Sequence, residues 1–367
     1  MEKNGSKKNC RDQSIDCVKG IAIIAVVVHH LGFSLPYNDI VPSKALLYSL
    51  WHVPVFFVLA GFFLSEDKLQ RPVDFIKKKI KTLYLKTILF VSCAVIFHNV
   101  LIKIGWYSES LDYSGKKMFF YTAKDFVFKL AETIFFMGRE PITGALWFGY
   151  VLFIALCGYS VLSFFLGKII KENQDKLFLV KGLILFFLTI VSNILSQNFG
   201  ITQNRFSNIF PAMLLIYMGQ WLNVEKKCSF NSKYVALFCL LVVAQAAFRS
   251  GGIGLNNNNF YDVFHLLSAG GGMTYLLLFI FKKAKVSVVN RILCFFGKYS
   301  FAIMALHLLC FKPCMILSNR FLSSSFNIGS LTPDIGSQYG IFVFFLMFSV
   351  SMPAFLGFCF DKIIFKE

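Results

Sequence analysis

Apolar runs of about membrane-spanning length recur along the whole of this 367-residue chain, and the polar gaps between them are too short to house a second domain of ordinary size. In hydrocarbon, every backbone N–H and C=O must find its partner inside the protein, and a helix supplies those partners within its own segment. Composition points the same way. A chain that is 56% hydrophobic and only 15% charged cannot dress the surface of a water-soluble globule. The expected fold is therefore an all-α polytopic membrane helix bundle of about ten transmembrane helices, near 17–35, 45–64, 87–104, 144–166, 177–196, 206–222, 234–248, 260–281, 299–317 and 340–360.

The net charge of +18 raises the question of a nucleic-acid partner, but the basic residues sit in short clusters between apolar runs, which is a topology signal instead. Every second gap is basic: Lys3, Lys7, Lys8, Arg11 and Lys19, then 68–86, 168–181, 226–233, 282–298, and Lys362 with Lys366. A cytoplasmic N-terminus places 26 of the 37 Lys and Arg inside and 11 outside, and puts the C-terminus inside as well. A cytoplasmic segment, 1–16, then precedes one integral domain, 17–367, in the inner or plasma membrane. The first apolar run is interrupted by His29 and His30 and lacks a small-residue cleavage site, so it reads as a retained span.

The gaps on the other side carry turn and loop chemistry, as in PYNDIVPSK (36–44), GGIGLNNNNFYD (251–262) and the stretch 318–340. The longest of them contains MFFYTAKDFVFKLAETIFFM (118–137), which reads as an amphipathic helix in the outer interface or as a lid over a pocket. The ten cysteines are scattered without CxxC pairs and read as small buried hydrophobes, and no metal site is expected.

Chemistry concentrates in the first span, DCVKGIAIIAVVVHH (16–30). At ~100° per residue, Asp16, Lys19 and His30 return to one stripe while His29 turns away, and a rise of ~1.5 Å per residue puts Lys19 roughly 16 Å below His30. Ionisable groups in a membrane helix are costly and ordinarily face the bundle interior or a wet cavity. His29, on another face, reads as a packing residue. His52 and His307 lie at a depth similar to that of His30 on two other spans, with Trp147 in the same layer. Each of the three can mark the membrane interface or line a site, whereas His98 and His265 read as interface residues. In FIKKKIKTLYLK (75–86), Lys77, Lys78 and Lys81 share one side of a helix. They serve equally as a positive-inside anchor or as point charges for phosphates.

Five stretches in order resemble the acyltransferase 3 family, membrane O-acyltransferases that decorate bacterial cell-surface glycans. They are Lys19 and His30 with ten residues between them, WHVPVFFVLAGFF (51–63), FIKKKIKTLYLK (75–86), ALWFGYVLF (145–153) and GKYSFAIMALHLLCF (297–311). Two features depart from the family pattern: Ala60 stands where a serine is usual, and lysines replace arginines in the basic stretch, giving up bidentate phosphate contacts.

The resemblance implies transfer of an acetyl or other acyl group from cytosolic acyl-CoA to a sugar hydroxyl of a surface polysaccharide or its precursor. His30 is then the expected general base, since imidazole titrates near neutral pH. Lys19 meets the donor and is oriented by Asp16. Lys77, Lys78 and Lys81 hold nucleotide phosphates, and His52, Trp147 and His307 line the acceptor side. Acyl-CoA, glycan and bilayer are the expected partners, without nucleic acid. A transporter or flippase for a lipid-linked glycan, with histidines as proton relays, is the rival reading, and a catalytically inactive membrane sensor is a third.

Overall fold

The computed structural model describes residues 12–33, 44–107, 118–136, 140–170, 173–199, 207–224, 230–284 and 287–365. The basic residues Lys3, Lys7, Lys8 and Arg11, and most of the expected loop PYNDIVPSK, lie outside them. The described chain is helical throughout; its only β pairings are two isolated bridges, Phe33 with Gly336 and Gly254 with Asn259. In chain order the longer helices are α1 (Gln13–His30), α2 (Ala45–Phe62), α3 (Pro72–Lys103), α4 (Ala123–Ile134), α5 (Pro141–Ile170), α6 (Gln174–Phe199), α7 (Ile209–Val224), α8 (Lys233–Ser250), α9 (Val263–Lys283), α10 (Val288–Lys298), α11 (Ser300–Phe321) and α12 (Tyr339–Phe365).

Among the described residues, eight helices are long and apolar enough to cross a membrane: α1, α2, α3, α5, α6, α9, α11 and α12. α7, with 16 residues, and α8 occupy the places expected for the sixth and seventh spans. α3 runs much longer than the expected 87–104. Its 32 residues extend about 48 Å at ~1.5 Å each, more than the roughly 30 Å that hydrocarbon requires, and its start is the lysine-rich stretch.

Local signals set several helix starts. Asp12 caps α1 by accepting the Ser14 N–H at 3.0 Å, and Asp16 in the first turn complements the positive end of the helix. Thr122 and Asp125 form a reciprocal capping box that opens α4, and the Thr122 hydrogen bonds hold the Asp125 carboxyl below its usual range.

Glycines set the closest helix contacts. A Cβ on Gly61 would stand 1.9 Å from the Ile216 carbonyl oxygen, and one on Gly219 would stand 1.8 Å from that of Val58, so α2 and α7 meet backbone to backbone. Gly20 and Gly297 do the same for α1 and α10, with Cβ clearances of 2.1 Å to the Leu293 oxygen and 1.9 Å to the Asp16 oxygen.

Two buried polar clusters brace opposite ends of the bundle. At the lysine-rich end, fully buried Lys181 donates to Glu66 at 2.8 Å and Ser163 at 3.0 Å. Gln220 joins Glu66 at 3.1 Å and accepts from the Tyr159 hydroxyl. Lys181 is therefore an internal tie and not a surface charge. At the other end, His98 meets Glu140 at 2.7 Å with both side chains 1% exposed, and Tyr107 donates to the same carboxylate at 2.8 Å. Burial, and the carboxylate after it, raise the Tyr107 phenol well above its ordinary range. His98, read from sequence as an interface residue, is thus an interior one. It also stacks on Tyr121, at 3.6 Å between ring centroids, and reaches the Phe119 carbonyl at 3.1 Å. Those contacts tie the segment leading into α4 to the bundle, and α4 turns Val127 and Phe128 outward.

The last polar stretch is pinned as well. Buried Lys312 donates to the carbonyls of Ile328 at 2.8 Å and Ser330 at 2.7 Å. Ile335 N–H reaches the Leu31 carbonyl at 3.3 Å, closing the stretch over the end of α1, where Gly32 adopts φ +60° beneath Pro333 and Asp334.

Candidate active site

Where α1 ends, α2 begins and α5 begins, a cavity of about 280 Å³ opens; its lining includes His29, His30, His52, Trp147, Gly254 and Asn256. His30 is half-buried and His29 exposed at this end of α1. Four imidazoles form a row: His52 stacks on His29 with 4.9 Å between centroids, His29 stands edge-on to His30 at 5.3 Å, and His30 faces His307 at 5.2 Å. The first, second and eleventh helices thus bring their histidines together, as the shared depth of His30, His52 and His307 suggested.

Two of these rings are fixed by backbone carbonyls. His52 Nδ1 lies 2.7 Å from the Tyr48 oxygen and His307 Nδ1 lies 2.9 Å from the Ile303 oxygen. A carbonyl only accepts, so Nδ1 carries the proton in each neutral ring and Nε2 is left as the acceptor. The His307 Nε2 is fully buried and has no hydrogen-bond partner. An orphaned acceptor beside His30 is costly unless a donor reaches it.

Trp147 lines the cavity half-buried, and its position follows from the buried Glu140 cluster. The chain leaves Glu140 through a 3₁₀ turn, Pro141–Leu146, that delivers Trp147 to the first position of the following α-helical run. The opposite wall comes from the glycine–asparagine loop. Ile253 N–H binds the Ser49 carbonyl at 3.0 Å, and Asn258 in a left-handed turn donates to the Ser192 carbonyl at 3.0 Å. His265, also read as an interface residue, is 4% exposed and reaches the Gly251 carbonyl at 3.3 Å, which holds the loop's start.

The remaining expected residues sit away from this lining. Asp16 is buried near the foot of α1, and Lys19 is half-buried with its ammonium 5.3 Å from the Phe63 ring centroid. Lys77, Lys78 and Lys81 are exposed near the start of α3. None of the three lines the cavity.

Sequence reasoning missed His29, Ser49, Asn256 and Met304 as cavity residues. For His29 the signal was present: two adjacent histidines at a helix end point ~100° apart, and a neighbouring helix lying between those directions meets both. The loop residues carried only a turn signal. Among the described residues, no three His, Cys, Asp or Glu side chains are grouped as metal ligands would be.

A family model described as an acyltransferase domain, Acyl_transf_3, matches residues 12–360. Comparison with curated proteins yields no match, and comparison with solved structures yields none either.

Proposed function

The chain belongs to the acyltransferase 3 family, and from that premise we propose that this membrane acyltransferase moves an acyl group, acetyl in the simplest case, from cytosolic acyl-CoA to a hydroxyl of a cell-surface sugar. The observation that carries the reading is His30 on the wall of a cavity shared with His29, His52 and Trp147. An aromatic face suits a sugar ring, and the Nε2 acceptor of His52 suits sugar hydroxyls.

In this reading the two substrates approach from opposite ends of α1. Lys77, Lys78 and Lys81 attract the nucleotide phosphates as point charges, and Lys19, near Asp16, meets the thioester arm at the foot of the helix. The arm extends along α1 toward His30, and the acceptor enters from the side of the glycine–asparagine loop. A ring nitrogen of His30 takes the proton of the sugar hydroxyl as its oxygen bonds to the thioester carbonyl carbon. The tetrahedral adduct then collapses, the C–S bond breaks, and His30 returns the proton to the departing thiolate. Among the described residues no carboxylate is bonded to His30. In this reading His307, its ring centroid 5.2 Å from that of His30 and its Nε2 otherwise unpartnered, takes the His30 N–H and leaves the opposite nitrogen's lone pair for the acceptor.

We read α7 and α8 as short spans, which makes ten in all, with the lysine-rich ends cytoplasmic. The experiment is a thiol-release assay on purified, reconstituted protein. Acetyl-CoA alone should be spared, and added surface polysaccharide should elicit saturable release with one acetyl ester gained per thiol. A transporter of lipid-linked glycan would consume no thioester, and that result would overturn the proposal.

A further inference from the structure

Two cysteines 277 positions apart, Cys17 on α1 and Cys294 on α10, bring their sulfurs within 3.0 Å of one another. The contact is reciprocal. The Cys17 thiol reaches across to the Asn290 carbonyl on α10 at 3.4 Å, and the Cys294 thiol reaches back to the Gln13 carbonyl on α1 at 3.2 Å. Both sulfurs therefore lie in the seam, each drawn toward the opposite helix.

The surrounding backbone explains how they come so close. Gly20, one turn after Cys17, admits the carbonyl of Leu293, the neighbour of Cys294, and Gly297, one turn after Cys294, admits that of Asp16, the neighbour of Cys17. The two glycines frame the thiol pair and remove the side chains that would hold the helices apart. A disulfide needs such an approach of backbones, with sulfurs at roughly 2.0 Å, so about 1 Å of closure remains. Access is unequal: Cys17 is 2% exposed, whereas Cys294 is partly exposed.

We propose that Cys17 and Cys294 are a redox-sensitive pair, and that oxidation by a peroxide joins them in a disulfide that staples α1 to α10. The chemistry runs in two steps. Cys294, the accessible thiol, is oxidised to its sulfenic acid while the peroxide O–O bond is reduced, giving water in the case of hydrogen peroxide. The Cys17 sulfur then attacks the Cys294 sulfur, the S–O bond breaks and a second water leaves. Two thiols lose two electrons and two protons to one peroxide. A dithiol reverses the bond by exchange. Because α1 carries Asp16, Lys19 and His30, the staple would fix the foot of the helix on which the proposed chemistry depends, yet the bond itself forms whatever reaction the cavity performs.

The test uses the full-length protein in membranes, treated with hydrogen peroxide, blocked with a maleimide, digested and analysed by mass. The expected product is one cross-linked peptide pair joining Cys17 and Cys294, two hydrogens lighter than the sum of its parts, lost on reduction with dithiothreitol and absent from Cys17→Ala and Cys294→Ala. Blocked thiols at both positions after peroxide has oxidised other cysteines would overturn the proposal. So would Cys294 carried on to the sulfinic acid with Cys17 blocked. Should one alanine variant fail to fold, the other variant and the unmodified chain still decide the matter.

Discussion

Neutral imidazole offers one donor and one acceptor, and in both His52 and His307 the donor is already committed to a backbone carbonyl. What remains for chemistry is a pair of Nε2 acceptors flanking His29 and His30. If His307 orients His30, replacing its ring with the amide of His307→Gln should lower kcat roughly tenfold and shift the pH profile of kcat, while the KM for acyl-CoA stays within about twofold. A uniform rise in KM with an unmoved pH profile would make His307 a packing residue. Much of this layer was legible in the sequence, because position along a span gives depth. Position along each span puts His30, His52, His307 and Trp147 at one level. Direction around the bundle was not legible: one helix alone does not say which neighbours flank it, and so His29, ~100° from His30, read as packing although it stacks on His52.

At the scale of elements, the molecule depends on a few places where backbones touch. Gly219 faces the Val58 carbonyl with no room for a methyl group, and only a backbone shift could make room. Gly219→Ala should therefore part α2 from α7 and cost about 1–3 kcal/mol or more, read as a lowered thermal midpoint in detergent; an unchanged midpoint would contradict the packing described. The Glu140 cluster makes a second case. Glu140→Ala strands His98 and the Tyr107 hydroxyl in the interior, a loss of about 3–5 kcal/mol for a broken buried pair. Hydrogen exchange should rise across 119–135 and at the start of α5, and protection equal to the parent's would show that the cluster anchors neither. The sequence signals an amphipathic helix at 118–137, and α4 is one. The sequence gives no warning of the cluster beneath it, since His98 and Glu140 are 42 positions apart and a buried polar pair has no periodicity. Lys181 misled in the same way: a lysine beside a span end counts toward the positive side whether it faces water or, as here, a half-buried carboxylate inside the bundle.

For the whole molecule, the apolar runs and the alternation of basic gaps specify a helical membrane bundle, because the bilayer leaves few ways to satisfy a backbone. The described structure agrees, with eight helices fit to span and two more, α7 and α8, between them. Sequence spacing alone could not show that α3 begins as early as Pro72, since its lysines look the same in a loop or on a helix. That early start puts Lys77, Lys78 and Lys81 on an exposed helical stretch away from the cavity that the histidines line. That separation is why the account gives the two substrates separate entrances and makes His30 their meeting point. Thiol release from acetyl-CoA by reconstituted His30→Ala, with polysaccharide acceptor present and thermal midpoint matched to the parent, tests this most directly. The account predicts a fall of about 10²–10⁴-fold, and turnover within a few fold of the parent would contradict it.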